Sequence, residues 1–234
     1  MKHTLYGVGL GPGDPELVTI KAISVLQKVG AVFAPASRDG HSLAGEILAN
    51  YIPEAKIEYL DFPMTTEQAE LEKAWNEAAA RIVAKLEESD AAFVTLGDPL
   101  LYGSYLYIYR KMQAEGNHIP IITIPGITSM SAAAAQSNFY LTEANDRLLI
   151  TTGQTDLAQF ENYCLSFETI VIYKPTMHLN EMLQVFYRIC PCGNGVLVER
   201  CGMAGEKTTY LQAPILPEKV SYLGVVILHP RSLK

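Results

Sequence analysis

The sequence predicts an α/β protein of two α/β domains, with a mostly parallel sheet in the first and a mixed sheet in the second. Three observations carry this. Short apolar runs alternate with helix-period segments from residue 4 to about residue 135. Glycine and proline cluster just after three of those runs, at residues 9–15, 97–103 and 125–129. Beyond residue 195 strand-like runs follow one another without helices between them, which asks for antiparallel pairing.

The first apolar run, residues 4–10, ends in a glycine-proline loop. There Asp14 suits a helix cap and Pro15 the first helical position, so one helix is expected to run from there to residue 28. Residues 31–35 read as a strand, 42–50 as a short helix and 56–60 as a third strand. Over residues 67–88, Leu71, Trp75, Ala78, Ile82 and Leu86 recur at steps of three and four, which places them on one helical face. A buried strand at 91–96, a helix at 103–115, a strand at 119–124 and a small-residue helix to 135 complete the alternation. Parallel strands joined by crossovers put the loops that follow them on one edge, where open α/β sheets hold their ligands. The second half reads as strand 147–152, helix 157–164, strand 169–173, helix 179–189 and strands 196–199, 207–212 and 220–228. A boundary near residues 140–145 follows, giving domains 1–142 and 143–234.

Composition narrows the function. Among 234 residues, 49% are hydrophobic and 18% charged, which excludes a disordered chain. The net charge of −7 and the lack of basic runs beyond pairs such as Arg110-Lys111 argue against a nucleic-acid partner. The longest apolar stretch, residues 119–135, is interrupted by Pro120, Pro125 and Gly126, short of the roughly 20 residues of a membrane span. No signal-like start precedes the first strand, so a cytoplasmic protein without a membrane partner is expected. The four cysteines (Cys164, Cys190, Cys192, Cys201) lack zinc-site spacing, and the five histidines form no triad or ligand pattern, so no metal is expected.

Each of the three loops has two readings by itself. Gly7-Val8-Gly9-Leu10-Gly11-Pro12-Gly13 resembles a dinucleotide fingerprint, but Pro12 occupies the third glycine position and no Walker lysine follows. It is also an ordinary tight turn. Gly97-Asp98-Pro99 delivers an acid to the ligand edge, where it could accept from a ribose or an ammonium, or simply cap the next helix. Pro125-Gly126-Ile127-Thr128-Ser129 places hydroxyls at a helix start, for a ligand or for capping.

Taken together these runs resemble the tetrapyrrole (corrin/porphyrin) methylases. The opening run with Leu17, Thr19 and Lys21, then Gly97-Asp98-Pro99 with Tyr102-Gly103, then residues 125–129, match that family's motifs in order. Val171-Ile172-Tyr173-Lys174 and Val198-Glu199-Arg200-Cys201 match two later ones, so the resemblance covers nearly the whole chain. Lys21, Pro35 and Asp61-Phe62-Pro63-Met64 leading to Trp75 point to the members that methylate C-20 of a cobalamin-pathway tetrapyrrole.

The resemblance implies two α/β domains with a cleft between them, a homodimer, and S-adenosyl-L-methionine as cofactor, released as S-adenosyl-L-homocysteine. It implies a tetrapyrrole substrate, cobalt-factor II before precorrin-2. Cofactor contacts are expected at Pro12, Leu96, Gly97, Asp98, Leu101, Thr128, Ser129, Tyr173, Lys174 and Cys201. At Lys174 many relatives carry Met, and at Cys201 the backbone is expected to matter more than the thiol. Substrate contacts are expected at Gly11, Asp14, Arg38 and His41. Asp98 and Tyr102 are the catalytic candidates, with Asp14 beside them. The polycarboxylate substrate also asks for cations, for which Arg110, Lys111, Lys174 and Arg200 are further candidates. A uroporphyrinogen or diphthine methylase, a nicotinamide-linked oxidoreductase and a non-catalytic tetrapyrrole-binding module are the alternatives.

Overall fold

A computed structural model describes residues 3–37, 40–63, 65–114, 119–212 and 220–231. The expected substrate contact Arg38 and the motif residue Met64 lie outside the described residues. The chain forms two compact units, residues 1–128 and 129–234.

The first unit is a five-stranded parallel sheet in the order β3-β2-β4-β1-β5. Its strands are β1 (Leu5–Gly9), β2 (Ala31–Ala36), β3 (Ile57–Asp61), β4 (Ala91–Thr95) and β5 (Ile121–Ile124). Four helices cover it: α1 (Ile20–Lys28), α2 (Leu43–Leu48), α3 (Gln68–Lys85) and α4 (Tyr105–Ala114). On one face, Val8, Val32 and Val94 pack with Ala22 and Leu26 of α1 and Ile47 and Leu48 of α2. On the other, Leu5, Phe33 and Phe93 pack with Ala78 and Ile82 of α3 and Tyr105 and Ile108 of α4. Phe33 and Phe93 are fully buried, each contributing about 2–3 kcal/mol of transfer free energy. The stripe expected on the long helix is the buried one: Trp75, Ala78, Ile82 and Leu86 all face the core.

The single helix expected from Asp14 to residue 28 is two elements. Asp14 accepts from the Glu16 N–H and caps only a 3₁₀ turn, Pro15–Leu17. Val18 is extended and buried, and Thr19 starts α1 afresh by accepting from the Ala22 N–H at 3.1 Å. The turn is pinned from outside, because the Tyr51 hydroxyl donates to the Pro15 carbonyl.

The second unit begins with α5 (Ser129–Ser137) and carries a mixed sheet, order β6-β7-β10-β8-β9. Its strands are β6 (Leu148–Thr152), β7 (Thr169–Tyr173), β8 (Asn194–Glu199), β9 (Lys207–Leu211) and β10 (Gly224–His229). β6 and β7 are parallel, and the β7–β10, β10–β8 and β8–β9 pairs are antiparallel. α6 (Leu157–Ser166) and α7 (Leu179–Ile189) cover one face through Phe160, Met182, Leu183 and Phe186. α5 packs against β8 and β10, so the helix expected to close the first domain stands with the second sheet, and the division falls after Thr128.

Candidate functional site

Five parallel strands end on one edge of the first sheet, and the order β4-β1-β5 sets the loops after these three strands side by side. Backbone bonds join the first two. The Gly97 N–H donates to the Gly11 carbonyl at 2.6 Å, the Gly11 N–H donates back at 3.3 Å, and Leu10 donates to the Thr95 carbonyl at 2.9 Å. The β5 loop joins them through a side chain: the Gly126 N–H donates to Asp98 Oδ2 at 3.0 Å. Asp98 Oδ1 accepts from the Leu100 N–H at 2.9 Å, closing its own loop.

Two glycines permit this convergence. A Cβ on Gly126 would stand 2.2 Å from the Gly97 carbonyl oxygen, and one on Gly9 would stand 2.6 Å from both that oxygen and the Gly126 nitrogen. Gly97 differs. It holds a left-handed φ of +68°, and a Cβ there would meet nothing within 4 Å. The three loops therefore form a closely packed backbone knot with open space directly over Gly97. Further along the same loop, Leu100 and Tyr102 are 56% and 40% exposed.

The expected residues fall as follows. Gly11 and Pro12 are buried in the first loop, Leu96 and Leu101 are half-buried in the second, and Thr128 ends the third. Asp98 lies at the knot with both oxygens turned to backbone N–H groups. Tyr102 also has a left-handed φ, 52°. Asp14 serves the 3₁₀ turn. His41 is exposed, and its Nε2 lies 3.1 Å from a Glu46 carboxylate oxygen. Among the further cations, Lys111 is taken by Glu72 at 2.6 Å.

The other expected contacts belong to the second unit. There β6, β7 and β8 run the same way, so residues 153, 174 and 200 leave the sheet at one edge. Lys174 and Arg200 both take left-handed φ values of 51°. Lys174 holds its ammonium 5.4 Å from the Tyr222 ring centre, and the Arg200 Nε donates to the Ala204 carbonyl at 2.8 Å. Tyr173 is buried, and its hydroxyl accepts from the Met130 N–H at 3.2 Å, tying β7 to the first turn of α5 just after Ser129. Cys201 is buried. Burial first, then the Glu206 carboxylate, pushes its thiol up to about 11, so it stays protonated at neutral pH.

The sequence reading left out Gly9 and Gly126, although both stand inside the quoted motifs. Their signal is a glycine at a strand's end or directly after a proline, at an edge where several loops must meet. Tyr173's bond to Met130 has no sequence signal, since it depends on how α5 packs.

Comparison with known proteins identifies the chain's relatives. The profile of the Tetrapyrrole (Corrin/Porphyrin) Methylases matches residues 4–214. A probable cobalt-precorrin-2 C(20)-methyltransferase of Methanocaldococcus jannaschii is 39% identical over 182 residues, covering 77% of this chain and 76% of that one. A precorrin-2 C(20)-methyltransferase of a Sinorhizobium species is 30% identical over 236 residues, covering 96% and 94%. Among solved structures, a uroporphyrin-III C-methyl transferase from Thermus thermophilus complexed with S-adenosyl homocysteine superposes with a TM-score of 0.66. It shares 21% identity over 97% of each chain, a likeness of fold.

Proposed function

Because this chain belongs to the tetrapyrrole (corrin/porphyrin) methylases, we propose that it transfers a methyl group from S-adenosyl-L-methionine to C-20 of cobalt-factor II in cobalamin biosynthesis. The observation that carries the C-20 assignment is the 39% identity to a relative named for that position on a cobalt-containing substrate. The relative named for metal-free precorrin-2 is 30% identical, which keeps that substrate as the second reading.

The knot of loops suits the cofactor. The space over Gly97 would take a group lying against the backbone, and Leu100 and Tyr102 offer apolar surface further along the same loop. Gly97, Leu96, Leu101, Pro12 and Thr128 are the residues of the first unit that would hold it. Ser129, Tyr173, Lys174 and Cys201 are assigned from the family motifs. The bound cofactor supplies a methyl group on a sulfonium, already electrophilic and with its leaving group in place. What remains for the protein is to fix the acceptor carbon in line and to exclude water. A reduced tetrapyrrole's meso carbon is electron-rich, so this chemistry needs no protein nucleophile. Asp14 and His41 are proposed on the substrate side, and Tyr102 as the candidate catalytic group. A homodimer in the cytoplasm is proposed on the family resemblance, the dimer to be checked by light scattering.

The test is anaerobic incubation with the cofactor and each tetrapyrrole separately. Faster turnover of cobalt-factor II is expected. Faster turnover of precorrin-2 would move the enzyme to the metal-free substrate, and transfer to neither would refute the C-20 assignment.

A further inference from the structure

We infer that Asp98 is a positioning residue, whose carboxylate clamps the β5 loop to the β4 loop and so builds the cofactor seat, and that it does not remove a proton from the substrate. The inference rests on the cofactor reading above. Three features of the geometry support it.

First, the carboxylate is already engaged at both ends. Oδ1 holds the Leu100 N–H of its own loop, and Oδ2 holds the Gly126 N–H, 28 residues further along the chain than Asp98. One backbone N–H on each oxygen fixes the plane of the carboxylate before any ligand arrives, which is what a positioning group requires. Second, its neighbours leave the carboxylate the natural acceptor. The backbone acceptor packed closest to Gly126, the Gly97 carbonyl, already takes the Gly11 N–H. The Gly126 N–H is thus matched by an anion, which makes a stronger bond than a neutral acceptor would. Third, the clamp sits where spacing is tightest. The Gly126 Cα proton side lies against the Gly97 carbonyl and Gly9, so any slackening of the β5 loop moves the wall of the space over Gly97. Binding energy in such a seat depends on backbone groups being fixed beforehand.

Asp98→Asn tests this. An amide offers one acceptor oxygen, so either Leu100 or Gly126 loses its partner while volume is kept. S-adenosyl-L-homocysteine affinity is measured by calorimetry, and methyl transfer at saturating cofactor is followed from pH 6 to pH 9. The expected result is affinity weakened on the order of 10- to 100-fold. Transfer at saturation should stay within a few-fold of wild type, with an unchanged pH profile. Wild-type affinity in Asp98→Asn would overturn the inference, as would transfer lost a hundredfold or more at saturation with an altered pH profile. No binding to the wild-type protein would instead sink the cofactor reading and this inference with it. If Asp98→Asn does not fold, NMR of the wild-type protein decides. A cross-hydrogen-bond coupling between the Gly126 amide nitrogen and the Asp98 side-chain carboxyl carbon supports the clamp, and its absence overturns it.

Discussion

Replacing Gly126 by alanine and Gly97 by alanine should separate the framework of the site from its occupied space. The Cβ of Gly126→Ala would lie 2.2 Å from the Gly97 carbonyl oxygen, 2.9 Å from Gly9 Cα and 3.0 Å from the Gly9 carbonyl carbon. All three are backbone atoms, so no rotamer change relieves the clash. Ordinary contact begins near 3.4 Å, so the loop must retreat by roughly 1.2 Å (3.4 − 2.2). A retreat of that size strains the Gly126 N–H bond to Asp98, now 3.0 Å long. Overpacking costs about 1–3 kcal/mol, and losing a bond to a charged group about 1.5–3 kcal/mol, so a loss of about 3–5 kcal/mol is expected. In Gly97→Ala the methyl meets nothing, and only the left-handed backbone is penalised, by about 1–2 kcal/mol. Yet that methyl enters the proposed cofactor space, so S-adenosyl-L-homocysteine affinity should fall at least tenfold. Denaturant unfolding and calorimetry measure both quantities. Gly126→Ala within about 1 kcal/mol of wild type would refute the convergence argument. Undiminished affinity in Gly97→Ala would refute the placement of the cofactor.

Three more outcomes follow from the second unit. Arg147 grips Glu168 with Nε and a terminal guanidinium nitrogen, each at 3.0 Å, and with its backbone N–H, and this holds the Glu168 carboxyl down at about 2. A depressed carboxyl stabilises the fold above its unfolded value and stops doing so as pH falls toward the folded one. Glu168→Gln should therefore cost about 1–2 kcal/mol at pH 7, discounted for the exposed Arg147, and nothing by pH 2; a cost independent of pH would refute it. His229 is buried against Phe139 and Tyr140, and burial lowers its pKa against the opposing Tyr140 carbonyl bond and Asp146 charge. Its unfolded form binds a proton first, so stability should drop as pH falls below about 6.5, and His229→Phe should flatten that drop in urea titrations. Iodoacetamide at pH 8 should label exposed Cys192 well before Cys164 and Cys201, whose thiols are pushed up to about 12 and about 11. Equal labelling by mass spectrometry would contradict this.

Much of the fold was legible because packing and period agree. The α3 stripe ending at Leu86 and the fully buried, mostly apolar β4 and β7 needed no tertiary information beyond a core to face. The sequence reading failed where a distant contact decides. The break at Val18 depends on Tyr51 reaching the Pro15 carbonyl, a partner 36 residues away that no local period registers. α5 reads as the last helix of the first domain because its small residues carry no pattern that names a sheet, and only the structure packs this helix against β8 and β10. The same holds for the site. Its three loops stand out as motifs, but their junction does not, because the Asp98–Gly126 bond exists only once strand order has set β4, β1 and β5 side by side.

The most direct measurement is transfer of an isotope-labelled methyl group from S-adenosyl-L-methionine to cobalt-factor II under anaerobic conditions, read by mass and by carbon NMR. The account predicts one added methyl, at C-20. Addition at another carbon would contradict it, and so would an unchanged tetrapyrrole.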